Sequence, residues 1–205
     1  MVTKKRAKRG RPREFDIEAA VAIAANLFHQ RGYDGIGIAE LSETIGITAP
    51  SLYSAFGSKR ELFERSLKHY VQMNGGWLPE ALSSEEDLAA AIDTLFNRAA
   101  DVYAANDECL GCLVIDGTRN CRDAEAQKLT ASFRRATWGM VRDRIQSGAP
   151  GLAKAQIDAL ADYAVMILVG LSGSARDGMT TEALRTTAKI AAIGFKQQLD
   201  FTKNN

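Results

Sequence analysis

The side chains best able to do chemistry in this 205-residue chain are three cysteines: Cys109 and Cys112 in a Cys-x-x-Cys pair, and Cys121 close to Arg119 and Arg122. Cys-x-x-Cys is the spacing of a redox couple or of half a metal site, and adjacent guanidinium groups favour the thiolate form of Cys121. A closed zinc site needs four ligands, however, and the two histidines, His29 and His69, lie well upstream. Free thiols packed as small hydrophobes are therefore the competing reading, for Cys112 above all, because Leu113-Val114-Ile115 follows it. Three cysteines are too few for a disulfide framework and agree with a reducing compartment. No Walker loop, Gly-x-Ser-x-Gly elbow, His-Glu-x-x-His or dinucleotide fingerprint occurs. The expectation is a protein that is not an enzyme and carries no cofactor or resident metal.

A second kind of chemistry is electrostatic. The net charge of +1 conceals an asymmetry: residues 1–13 carry Lys4, Lys5, Arg6, Lys8, Arg9, Arg11 and Arg13 with no acid, while the rest of the chain is net negative. Such a run reads as a disordered nucleic-acid arm, with an anionic-membrane patch or an inert solubilising tail as alternatives. Within it, Arg9-Gly10-Arg11-Pro12 resembles the core of an AT-hook, in which a flat Arg-Gly-Arg lies in the narrow minor groove of A·T-rich DNA. The longest charge-free stretch, Thr44 to Ser58, has 15 residues and is broken by Gly, Pro and Ser, whereas a span needs roughly 20 apolar residues. Glu14, Asp16 and Glu18 interrupt what would otherwise imitate a signal peptide. The chain reads as cytoplasmic, without a membrane partner.

These features must be positioned by helices. Asp16 caps a segment whose apolar positions, from Ile17 to Phe28, follow the 3.6 period and stop at Arg31-Gly32. Ile38, Leu41 and Ile45 share one face of a second, shorter helix, which Gly46 ends. Thr48 caps a third, with Pro50 in the first turn, where no hydrogen bond is lost. Ser58 and Glu61 form a capping box for a fourth, running to about Asn74. The second and third helices make a helix-turn-helix over about residues 37–56. At 100° per residue Leu52 and Phe56 form the buried face of the third, leaving Pro50, Ser51, Ser54 and Ala55 outside. An uncharged outer face of small groups suits a helix that enters a major groove.

Residues 15–70, and especially Ala25-Asn26-Leu27-Phe28-His29-Gln30-Arg31-Gly32-Tyr33, Ile38-Ala39-Glu40-Leu41, Ile45-Gly46-Ile47-Thr48 and Ser51-Leu52-Tyr53-Ser54-Ala55-Phe56-Gly57-Ser58-Lys59, resemble the DNA-binding domain of the TetR family of bacterial transcriptional regulators. The resemblance implies an all-α dimeric repressor of palindromic double-stranded DNA operators. A helix-turn-helix domain would occupy residues 14–74, after the arm at 1–13, and a helical effector-binding and dimerisation domain residues 77–205. It further implies that Thr48 and Tyr53 touch backbone phosphates, that Lys59 binds phosphate at the start of the fourth helix, and that Ala49, Pro50, Ser51 and Ser54 face the bases. Gly37 departs from the family's usual Ser or Thr cap, at a cost of about a few tenths of a kcal/mol. The recognition helix has no Arg, Lys, Asn or Gln for direct readout. Specificity is therefore expected to draw on DNA shape, thymine methyls and the arm.

The second half is Ala-rich and reads as helices opened by Ser83 with Glu86 and reaching about Ala104, then a broken region with a short helix, then about residues 123–147, 154–176 and 181–201. The repeat Leu184, Ala188, Ala191, Phe195, Leu199, with the small residues Gly170, Gly173 and Ser174, suits close helix pairing, either across the four-helix dimer interface that the family implies or within one chain. Trp77, Tyr103, Phe133, Trp138, Met140, Tyr163 and Met166 are candidates for an apolar effector pocket, against plain core packing. The trigger is expected to be a small apolar or amphipathic molecule, the alternative being thiol, electrophile or metal sensing through Cys109, Cys112 and Cys121. A different class, a helical small-molecule-binding protein without specific DNA function, is also carried.

Overall fold

The structure, a computed structural model, describes residues 16–106 and 110–204, which form ten α-helices. The first four are α1 (Ile17–Arg31), α2 (Ile38–Ile45), α3 (Ala49–Phe56) and α4 (Lys59–Asn74). Their ends follow from local chemistry. The Asp16 carboxylate accepts the N–H groups of Glu18 and Ala19 at the start of α1. Gly46 ends α2 at φ 79° and ψ 28°, a left-handed conformation in which a Cβ is strained. There Gly46 N–H bonds the Glu43 carbonyl and Ile47 N–H the Ser42 carbonyl, so the chain turns within three residues into α3. Ser58 Oγ accepts from Glu61 N–H at 3.1 Å, but Ser58 N–H itself goes to the Phe56 carbonyl. The Glu61 carboxylate lies against Gly57 instead, so only half of the expected capping box is built.

The remaining helices are α5 (Trp77–Ser83), α6 (Leu88–Tyr103), α7 (Leu113–Asp116), α8 (Ala124–Gly148), α9 (Lys154–Arg176) and α10 (Thr181–Lys203). Here the reading of Ser83 with Glu86 as a helix start is corrected. Ser83 closes α5, its hydroxyl bonding back to the Pro79 carbonyl, and Asp87 caps α6 by accepting Ala90 N–H at 2.9 Å.

One apolar cluster gathers α1 to α4 around Phe28, Phe56 and Phe63, and takes in Leu113, Val114, Cys121 and Ala126 from α7 and its surroundings. The other lies among α5, α6, α8, α9 and α10 around Phe96, Leu168 and Phe195, and partly buried Cys112 touches both. The repeat from Leu184 to Leu199 belongs to this second core: all five side chains are buried, against α6 and α9. It therefore packs within the chain. A different stripe of α10, Ile190, Ile193 and Phe201, stands exposed, as does Met166 on α9.

The expectation that no segment is apolar enough to span a membrane also needs amending. Among the described residues α9, 23 residues with a window of mean hydropathy 1.4, passes that test by length and composition. Counting charge-free stretches missed it, because Asp158 and Asp162 interrupt the run without lowering its average much. In the fold α9 packs on α6, α8 and α10, with Asp158 paired to Arg142 at 2.8 Å.

Candidate nucleic-acid interface and effector cavity

The α2–α3 pair presents a surface whose polar groups are oriented before any ligand arrives. Thr48 Oγ1 accepts Ser51 N–H at 3.3 Å and meets Ser51 Oγ at 2.9 Å, satisfying the first turn of α3. Leu52 and Phe56 are fully buried under the helix, while Pro50, Ser51, Tyr53 and Ser54 face solvent, Ala49 and Ala55 half-so. Tyr53 is 50% exposed, unusually open for its size. Lys59 is held rather than free: its ammonium lies 4.4 Å from the centre of the Tyr33 ring. Burial lowers its pKa, partly offset by Asp34, Cys121 and Asp123. Arg9 and Arg11, the proposed minor-groove arm, lie outside the described residues, as does Cys109.

Two junctions tie this head to the second half of the chain. At one, Asp34 accepts Arg122 N–H at 2.8 Å and the Cys121 thiol at 3.4 Å, while Tyr33 OH donates to Asp123, the cap of α8, at 3.1 Å. The prediction that nearby arginines favour a Cys121 thiolate is therefore overturned. Burial comes first and raises its pKa, and the hydrogen bond to the Asp34 carboxylate adds to it. Arg119 is drawn away to Asp116 at 3.0 Å. At the other junction the Arg176 guanidinium, at the end of α9, donates to the His29 and Gln30 carbonyls at 2.8 and 3.0 Å, and to Leu110 at 3.3 Å. His29 bonds the Gly111 carbonyl at 3.2 Å and packs edge-on against Tyr70. Burial lowers the His29 pKa, which favours the neutral ring.

Beside that junction is a cavity of about 130 Å³ bounded by α4, α5, α6, α8 and α9. Trp77, Tyr103, Phe133 and Met140 line it, with Cys112, Tyr70 and Val71. Three other candidates lie elsewhere. Trp138 donates its indole N–H to Asp162 at 2.8 Å, Tyr163 OH donates to the Ala191 carbonyl at 3.0 Å, and Met166 is 69% exposed. Each is turned by a partner or by helix phase away from the cavity. Tyr163 also explains Gly194, where a Cβ would stand 2.9 Å from its hydroxyl. Cys112 and Cys121 sit in different surroundings, the first hydrogen-bonded to Tyr70 at the cavity and the second on Asp34. Burial raises the Cys112 pKa. Among the described residues no three His, Cys, Asp or Glu side chains are grouped to hold a metal.

Reading from sequence missed Tyr70 and Val71, although the apolar period of α4 continues through them; both pack at the edge of the head's core and line the cavity as well. It could not have found Arg176, which reaches carbonyls 146 and 147 residues earlier.

Residues 20–65 match the family described as bacterial regulatory proteins, tetR family. The chain is 35% identical over 98% of its length to all of the HTH-type transcriptional repressor BdcR of Escherichia coli K12. It is 30% identical to the repressor ComR of the same organism, covering 88% of this chain and 89% of ComR. Its fold superposes with a TM-score of 0.80, at 31% identity, on a cysteine-substituted TetR family regulator, CifR, in complex with 26-bp double-strand operator DNA, covering 89% of this chain and 98% of that one.

Proposed function

The chain belongs to the TetR family of bacterial transcriptional regulators, and from that premise we propose that it is a dimeric repressor of a palindromic double-stranded operator, released when a small molecule enters the α4–α9 cavity. The observation that carries the reading is the juxtaposition of a capped recognition helix, with a small, uncharged exposed face, and an apolar cavity walled by the helix that follows it. On this reading Thr48, Tyr53 and Lys59 hold the phosphate backbone, Ala49, Pro50, Ser51 and Ser54 approach the bases, and Arg9 and Arg11 enter the minor groove. BdcR and ComR, both named repressors, and the operator complex of CifR support it. The protein acts by binding rather than catalysis, on DNA in the cytoplasm. Exposed Ile190, Ile193 and Met166 supply an apolar dimer face on α9 and α10, and a two-fold dimer is what a palindrome requires.

An occupied cavity works on DNA binding through α4. Tyr70 and Val71 line the cavity on the same helix whose first turn carries Lys59. A ligand that wedges α4 against α8 favours a head spacing that no longer matches successive major grooves. Cys112 on the cavity wall gives a second reading, covalent capture of an electrophile, which the raised thiol pKa slows because the thiolate is the nucleophile.

The test is selection of binding sites from random duplexes at about 150 mM salt, with reduced and with oxidised protein. An enriched palindrome in the reduced state is expected. No enriched sequence in either state would reduce the reading to a fold assignment, and enrichment lost only on oxidation would favour thiol sensing.

A further inference from the structure

The effector cavity has one feature that its apolar lining does not explain. Arg134 of α8 stands in its wall and also in the wall of a wider cleft that Arg119 and Lys128 border. Lys128 is paired with Glu125 at 2.6 Å and Arg119 with Asp116 at 3.0 Å. Arg134 pairs with no carboxylate among the described residues. Its one hydrogen bond there is from Nη1 to the Val114 carbonyl, at 3.1 Å. A guanidinium carries five N–H donors in a planar fork, so most of this one is unclaimed while its stem is half-buried. Burial and the neighbouring Arg135 both disfavour its charge.

The volume limits what else can be there. About 130 Å³ is slightly less than the roughly 150 Å³ apolar cavity that accepts benzene, so the occupant has an apolar body of about six carbons. A cation would meet the Arg134 guanidinium, and a neutral molecule would leave the fork unpaired. A carboxylate matches the fork with two parallel hydrogen bonds and supplies the missing counter-charge.

We propose that the effector is a small anionic amphiphile, an aromatic or short aliphatic carboxylate, whose apolar body fills the cavity and whose carboxylate pairs with Arg134. This deepens the effector reading above and rests on it.

The test uses the full-length protein and three probes of one shape, benzoate, benzamide and benzylamine, with affinities from titration calorimetry and ligand-observed NMR. Benzoate is expected to bind at least tenfold more tightly than benzamide, with benzylamine weakest. Arg134→Gln should bring benzoate and benzamide within about twofold of each other, and Arg134→Lys should restore part of the preference. Thr137→Trp, which fills the cavity, should abolish binding of all three. Equal affinity for benzoate and benzamide in the unsubstituted protein, with both lost in Thr137→Trp, would overturn the anion assignment and leave the cavity as the effector site. Failure of every probe to bind, or binding that survives Thr137→Trp, would overturn both. Because the charge preference is read first on the unsubstituted protein, misfolding of a variant cannot mask the result.

Discussion

Thr48 and Gly37 are the caps of neighbouring helices, and they differ in what their positions offer. Thr48 satisfies the first turn of α3 with its hydroxyl, so Thr48→Ala should destabilise the protein by about 1 kcal/mol, with Thr48→Ser recovering most of it. Thermal unfolding checks this, as a melting temperature roughly 2–4 °C lower for a chain of this size. An unchanged transition would mean that the turn is satisfied by other means. Gly37 caps α2 with no side-chain bond, at an ordinary φ of −91°, and open space surrounds the position where a Cβ would stand. Gly37→Ser should therefore raise stability by about 0.5 kcal/mol, through a new cap and a less flexible unfolded chain. A urea midpoint that stays or falls would contradict it.

Elements meet through groups that no single helix explains. The C-terminus of α1 is covered by the Arg176 guanidinium, a cation at the negative end of a helix, and closed off by buried His29 on Gly111. That histidine gives the junction a pH dependence whose sign is fixed. Its folded pKa is lowered by burial below the ordinary 6.5, so the unfolded chain takes up a proton first as pH falls. The stability it contributes is whole above 6.5 and declines as pH drops from there towards the lowered folded value. Unfolding free energies across roughly pH 7.5 to 5.5 should fall in the parent protein and fall less in His29→Gln, which keeps a donor for the Gly111 carbonyl. Equal slopes would remove His29 from this role.

At the scale of the whole molecule, one chain leaves apolar surface uncovered on α9 and α10. Ile193 is 58% exposed and Ile190 65%, one helical step apart, and a second copy of the chain is the occupant proposed for this face. Ile193→Glu should convert the proposed dimer to monomer in sedimentation. It should weaken operator binding by about a hundredfold or more, because two heads then no longer bind as one unit. A dimer that persists with full operator affinity would place the interface elsewhere.

Much of the DNA-reading head was legible because its information is local. Asp16, Gly46, Thr48 and Ser58 mark helix ends within three or four residues of the groups they satisfy, and the 3.6 period of Leu52 and Phe56 points to a buried face in any fold. The small stretch at Ser83 was ambiguous for the same reason: two acceptable caps, Ser83 and Asp87, lie four residues apart, and packing of Leu78 and Leu82 decides between ending one helix and starting another. The lining of the α4–α9 cavity was legible only in part. Aromatic residues at helical spacing predict burial, but the direction of each side chain depends on a neighbour remote in sequence, such as Asp162 for Trp138 or the Ala191 carbonyl for Tyr163. By itself the sequence determined most of the helices, the caps at Asp16, Gly46 and Thr48 and the buried face of α3, since hydrogen bonds along a helix and its apolar period are short-range. Tertiary structure alone decided that Arg176 closes α1, that Cys121 rests on a carboxylate and that Arg134 is left without one, since these depend on which charges long-range packing brings together and shields from water.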